Sequence, residues 1–124
     1  MAAPDILNPT SVKLKTFNVA LSTTSATSLL SNAASSGLAL KVISCRAANV
    51  DGTANCDITL KRHSAAAGGG TGYALASTVT VPADAALDLI TEDAPVGLEE
   101  DSSLFATASA GGDIEITGTY LEIS

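Results

Sequence analysis

Apolar and polar residues alternate along most of this chain in short runs with a period of two, the spacing of a half-buried β-strand. In "VKLKTFNVAL" the apolar positions are Val12 and Leu14, then Phe17, Val19 and Leu21. The one-residue slip near Thr16 predicts a bulge. "LALKVISCRAA" is apolar enough for a central strand, "CDITL" alternates at Cys56, Ile58 and Leu60, and "YALASTVTV" at Tyr73, Leu75, Val79 and Val81. "ALDLI" sets Leu87 and Leu89 against Asp88, and "SLFATASA" is a strand of small residues around Phe105. In "DIEITGTYLEI", Ile114, Ile116 and Tyr120 share a face, and the shift to Leu121 and Ile123 predicts a second bulge.

Between these runs lie turn signals: Asp51-Gly52, "AAAGGGTG", "VPAD", "EDAPVG", "LEEDSS" and "AGGD". Seven or eight short strands separated by such turns predict an all-β fold, an antiparallel β-sandwich of jelly-roll type. Residues 1–11, with Pro4 and Pro9, read as an extended N-terminal arm. "STTSATSLLSNAASSG" reads as a connection with a short strand around Leu29 and Leu30. Residues 12–124 are then one sandwich domain, the size expected for a chain of 124 residues.

Composition narrows the partners. The chain is 46% hydrophobic but only 3% aromatic, so its core is aliphatic and thin. The net charge of −7 argues against nucleic acid, because phosphate binding needs clustered Lys and Arg. Residues 1–63 hold all six bases, whereas residues 64–124 hold ten acids and no base. That asymmetry favours contacts between unlike surfaces. No run approaches the length of a membrane helix, which argues against a membrane partner, and "MAAPDILNPT" lacks the pattern of a signal peptide. A protein made in a cytoplasm is expected.

Few residues offer chemistry. If "NVDG" closes a four-residue hairpin loop, Cys45 and Cys56 face each other across two strands, sharing a face with Ile43 and Ile58. They are then either two small core residues, the reading that suits cytoplasmic assembly, or a disulfide that would add about 2 to 3 kcal/mol. Zinc would need two more ligands than this chain offers there. His63 reads as an exposed histidine at a strand end, without a nucleophile beside it. "GGGTG" lacks the Lys and the following helix of a phosphate loop and reads as a flexible hairpin tip. Glu99, Glu100 and Asp101 lack calcium-loop spacing and read as a solvated acidic turn. No enzyme, metal or cofactor is expected.

Four blocks, "NPTSVKLKTFNVAL", "LKVISCRAANVDGTANCDITLKRH", "LASTVTVPADAALDLI" and "LEEDSSLFATASAGGDIEITGTYLEIS", cover nearly the whole chain. Together they resemble the small all-β virion structural proteins of tailed bacteriophages, of the capsid decoration or cement type. The features that carry the resemblance are the "ANVDGT" hairpin, the "TVPADAALDLI" strand pair, the "LEEDSSLFATAS" hairpin and the terminal "YLEIS". The resemblance implies a protein made in the host bacterial cytoplasm that binds and stabilises the outer face of the major capsid shell, as a homotrimer. Expected capsid or inter-subunit contacts are Pro4, Asp5, Ile6, Leu7, Asn8 and Pro9 of the arm (residues 2–10), with one set of loop tips. That set is either Asp51 and Gly52 with the His63 loop, or Glu99, Glu100 and Asp101. A neck, tail or fibre-associated virion protein is the alternative. A carbohydrate-binding module is the further one, weakened by the absence of Trp.

Overall fold

The structure, a computed structural model, describes residues 3–124. Nine strands follow one another: β1 (Val12–Leu21), β2 (Thr27–Asn32), β3 (Ala39–Asn49), β4 (Cys56–His63), β5 (Gly72–Val81), β6 (Ala86–Ile90), β7 (Val96–Leu98), β8 (Ser102–Ala108) and β9 (Ile114–Ile123). One turn of 3-10 helix, Ala66–Gly68, interrupts the β4–β5 connection. Sheet I has the order β1-β9-β3-β6, with β7 also on β3; sheet II has the order β2-β8-β4-β5. All pairings between strands are antiparallel. The chain passes back and forth between a five-stranded and a four-stranded layer in the manner of a jelly roll.

The ninth strand arises because one edge strand is broken in two. β6 pairs with β3 from Ala48 to Cys45, and β7 resumes on β3 from Val42 to Leu40. Between them the chain leaves the edge, held by a turn in which the Ala94 N–H donates to the Thr91 carbonyl. The three-residue β7 lies inside a stretch that reads as turn from Pro95 and Gly97, and so escapes the alternation rule.

Alternation places Leu21, Val42, Ile58, Leu60, Leu104, Ile114 and Ile116 in a fully enclosed layer between the sheets. Each such side chain stabilises the fold by about 1.5 to 3 kcal/mol relative to its exposed state. Phe17 and Tyr120 add the only large rings near this layer, 6.2 Å apart between centroids. Phe17 lies over Gly118, and a Cβ on Gly118 would sit inside the Phe17 ring.

Both expected bulges are displaced. β1 pairs with β9 without interruption from Val12↔Ile123 to Leu21↔Ile114, so neither strand slips against the other. Val12 and Leu14 instead face outward, and Lys13 and Lys15 take the inward phase at the end of the sheet, where Lys15 Nζ lies 2.9 Å from Glu122. The irregularity opposite β9 belongs to β3, between Val42 and Ser44, and it turns Ile43 away from the phase of Cys45. Leu121 and Ile123 then lie on the outer face with Val12 and Leu14. β5 also departs from simple alternation, shifting register twice against β4, with Thr78 in the left-handed region at φ 51°.

The hairpin expected around "NVDG" is not one. β3 belongs to sheet I and β4 to sheet II, so the connection is an arch between layers, as are "VPAD" and "LEEDSS". Cys45 is opposite Ile90 and Gly118, and Cys56 is opposite Val81, so the two cysteines are not a cross-strand pair. Both are free thiols, at 0% and 1% exposure.

Two buried asparagines tie the layers together at opposite ends. At one end Asn32 Nδ2, from sheet II, donates to the carbonyls of Leu38 and of Leu98 in sheet I, and its Oδ1 accepts from Ser36 Oγ. At the other, Asn49 Nδ2, from sheet I, donates to the carbonyls of Ala54 (2.9 Å) and of Val81 in sheet II (3.0 Å). Asn49 Oδ1 accepts from the Asp51 N–H. Neither asparagine stands out in the sequence, where each ends a strand before turn-forming residues.

Candidate interaction surfaces

The strand directions sort the expected contact residues onto two ends of the sandwich. At the arm end lie residues 3–11, the β4–β5 loop after His63, the turn at residues 99–101 and Ser124. At the far end lie Asp51 and Gly52, with the turns at residues 82–85 and 109–113. Asp51 and Gly52 are therefore not grouped with the His63 loop; the acidic turn is. The reason is the arch: β3 and β4 run the length of the sandwich in opposite directions, so their outer ends are at the arm end and their connection at the other.

The expected arm, residues 2–10, begins at Ala2, which lies outside the described residues. The described part is not extended throughout. A turn at Ile6 and Leu7 is closed by Asn8 N–H donating to the Asp5 carbonyl, and Asp5 Oδ1 accepts from the Leu7 N–H. Thr10 and Ser11 then donate to the Ser124 carbonyl, anchoring the base of the arm to the end of β9. Ile6 and Leu7 are left 68% and 92% exposed, while Pro4 and Pro9 are half-buried. Two adjacent aliphatic side chains held outward by a turn gain nothing from this fold, and burying both elsewhere is worth a few kcal/mol, at about 1.5 to 3 each.

The glycine-rich loop is pinned rather than loose. Its backbone N–H groups at Ala66, Ala67 and Gly68 donate to Asp101 Oδ1, Ser31 Oγ and Ser103 Oγ. Gly68, at φ +77°, lies against the Phe105 ring so closely that a Cβ would come within 2.9 Å of it. His63 meets the same ring edge-on at 5.3 Å, half-buried, with Nδ1 enclosed and without a partner. It is thus a packing histidine rather than the exposed strand-end residue that its position suggests. Glu99 and Asp101 are exposed and Glu100 is half-buried; the Glu99 carbonyl accepts from Ser102 Oγ, and Asp101 adopts φ 59°. Beside them opens a cleft of about 480 Å³ lined by Arg62, His63, Tyr73 and Glu99, in which Arg62 Nη1 donates across the layers to the Gly97 carbonyl.

At the far end the Asp51 carboxylate accepts from the N–H groups of Thr53 and Ala54 and from Thr53 Oγ1. These bonds hold its pKa below the usual carboxylate value. Gly52 is exposed next to the Asp84 carboxylate. No group of three or more His, Cys, Asp or Glu side chains among the described residues is placed to hold a metal ion.

The charge asymmetry of the sequence becomes an axial one. Asp51, Asp57, Asp84, Asp113 and Glu115 occupy the far half, where acids outnumber bases. Lys13, Lys15, Lys41, Lys61 and Arg62 occupy the arm half, mixed with acids. Arg46, opposite Thr117, is the base of the far half among the described residues, and it lies 2.8 Å from Asp88.

The cysteines complete the inventory. Burial pushes the Cys45 thiol up to about 12, away from the thiolate form that reacts or oxidises. Cys56 Sγ is 3.5 Å from Ser109 Oγ under the β8–β9 turn. Neither thiol is expected to react with Ellman's reagent in the folded protein; both should react once it is denatured. Rapid modification of the native protein would contradict the burial of this pair.

No protein-family model matches this chain, and no curated protein matches it. Among solved structures it is similar to a chain from Bacillus endospore appendages, described as a novel family of disulfide-linked pili. The TM-score is 0.53 with 12% identity, over 92% of this chain and 88% of that one. The likeness is one of fold, and it agrees with the two-sheet β-sandwich described above.

Proposed function

We propose that this chain is a non-enzymatic structural subunit of a tailed-phage virion, a decoration protein seated as trimers on the outer face of the major capsid shell. The observation that carries the reading is the arm end. An anchored arm presents Ile6 and Leu7 to solvent at the same end of the sandwich as two loops that are pinned to each other, an apolar hook at a preformed end. Such a hook recovers its hydrophobic free energy only against another protein, and many copies on a lattice add their contacts together. Of the two ends, the arm end is the one that faces the shell. Shell binding would also stabilise the sandwich by mass action.

The test is addition of purified protein to expanded capsids that lack it, followed by cryo-electron microscopy. Density repeated over the shell, in hundreds of copies, supports decoration. Density at one vertex or on the tail moves the protein to the neck, tail or fibre alternative, and no binding ends the virion reading. A second reading, a self-assembling appendage subunit, draws on the likeness to the endospore appendage chain. Filaments grown from the pure protein without capsids would favour it.

A further inference from the structure

The cleft of about 480 Å³ at the arm end is the mouth of the sandwich, where the aliphatic layer stops. On β4 the inward positions Ile58 and Leu60 are fully buried, and the next one along is Arg62. Arg62 lies directly opposite Tyr73 on β5, so both side chains leave the same face of sheet II. The floor is Leu98 of β7, 1% exposed, whereas Tyr73 on the rim is 62% exposed. Both walls are fixed: Arg62 Nη1 donates to the Gly97 carbonyl, and Ser102 Oγ donates to the Glu99 carbonyl at 2.6 Å. The volume falls within the roughly 300 to 1,000 Å³ of small-ligand sites.

The mouth and the arm share an end but not an edge. The arm leads into β1, the outermost strand in the order β1-β9-β3, and β7 pairs on the other side of β3. A contact made through Ile6 and Leu7 does not need this mouth.

Its chemistry selects a ligand class. Arg62 and Glu99 both line the mouth, yet among the described residues neither belongs to an ion pair. Sheet II thus offers unused donors, the turn after β7 offers unused acceptors, and the two charges cancel. A ligand of net charge gains nothing from that balance. Matching a zwitterion to the two charges adds little either, because exposed charges are screened by water and salt. What the mouth rewards is a molecule with several hydroxyls and one apolar face for the Tyr73 ring. A pyranose has both, its hydroxyls around the rim and C–H groups on a face.

We propose that the mouth is a binding site for a neutral sugar unit. The Tyr73 ring lies against the C–H face, Arg62 donates to hydroxyl oxygens, and Glu99 accepts from hydroxyl hydrogens. One aromatic ring makes a weak site, but a polysaccharide repeats its unit, and copies held side by side add their contacts along it. The proposal goes beyond the virion reading and does not rest on it.

Saturation-transfer NMR of the full chain with the methyl β-glycosides of glucose, galactose and N-acetylglucosamine tests it. At least one glycoside should take up saturation, most strongly on the protons of one ring face. Titration of that glycoside should show about tenfold weaker binding to Tyr73→Ala and binding within about twofold of wild type to Tyr73→Phe. Glu99→Gln, which leaves the carbonyl held by Ser102 in place, should weaken binding about fivefold. No saturation of any of the three, full binding to Tyr73→Ala, or tighter binding of free leucine than of every glycoside would overturn the proposal. Circular dichroism of each variant separates loss of the site from loss of fold.

Discussion

Replacing Asn49 by Asp is expected to cost the sandwich about 4 kcal/mol or more at neutral pH, and distinctly less near pH 3. Asn49 is 2% exposed, and its amide nitrogen donates to two carbonyls on different elements. A carboxylate has no proton to give, so two buried carbonyl oxygens would face a buried negative charge. Protonation restores one donor, which means that the folded state raises the pKa of the new carboxyl above its unfolded value. The sign follows: the contribution of the protonated form is present below the unfolded pKa and is lost as pH rises through the folded one. Asn49→Ala should cost about 3 kcal/mol with no such dependence, because it leaves carbonyls unpaired without adding charge. Chemical denaturation of the three proteins between pH 3 and pH 8 checks both magnitude and slope. A flat difference between Asp and wild type would mean that the Asn49 latch is not made as described. Asn32, at the opposite end, should behave alike and add to Asn49 almost independently, since the two share no partner.

Gly118→Val should destabilise by about 3 kcal/mol, lowering Tm by about 10 °C. The cause is space, not backbone freedom: three ring atoms of Phe17, itself 7% exposed, occupy the place of the new side chain. Combining Gly118→Val with Phe17→Leu should therefore cost less than the sum of the single changes. Thermal unfolding of the four proteins reads that coupling, and strict additivity would show that Phe17 does not lie on Gly118.

These two positions mark the limits of reading the chain as a string. Alternation in "CDITL" and "DIEIT" placed Ile58, Leu60, Ile114 and Ile116 in the core, because a strand has only two faces and burial selects one. The same rule misjudged "VKLKTF" and "TYLEI", where Val12, Leu14, Leu121 and Ile123 are apolar yet outward. There the slip in the pattern records a change of face, from core to exposed strip, with no change in backbone register. A turn signal such as "NVDG" specifies where the chain reverses but not whether it returns in its own sheet or crosses to the other. That choice decided the fate of Cys45 and Cys56 and the grouping of Asp51 with the loops. Asn32, Asn49 and Gly118 were illegible for a different reason: their partners are 32 to 101 residues away along the chain or arrive through loops, so no local pattern announces them.

The two hydrogen bonds onto the Ser124 carbonyl make the path of this chain almost a closed circuit. Residues 91–95 are all exposed and sit outside the ladder of the broken edge. A gene that opened the circuit there, and joined the codon for Ser124 through a short linker to that for Thr10, would encode the same neighbours in another order. The linear order of the strands is thus one of several spellings of a single ring.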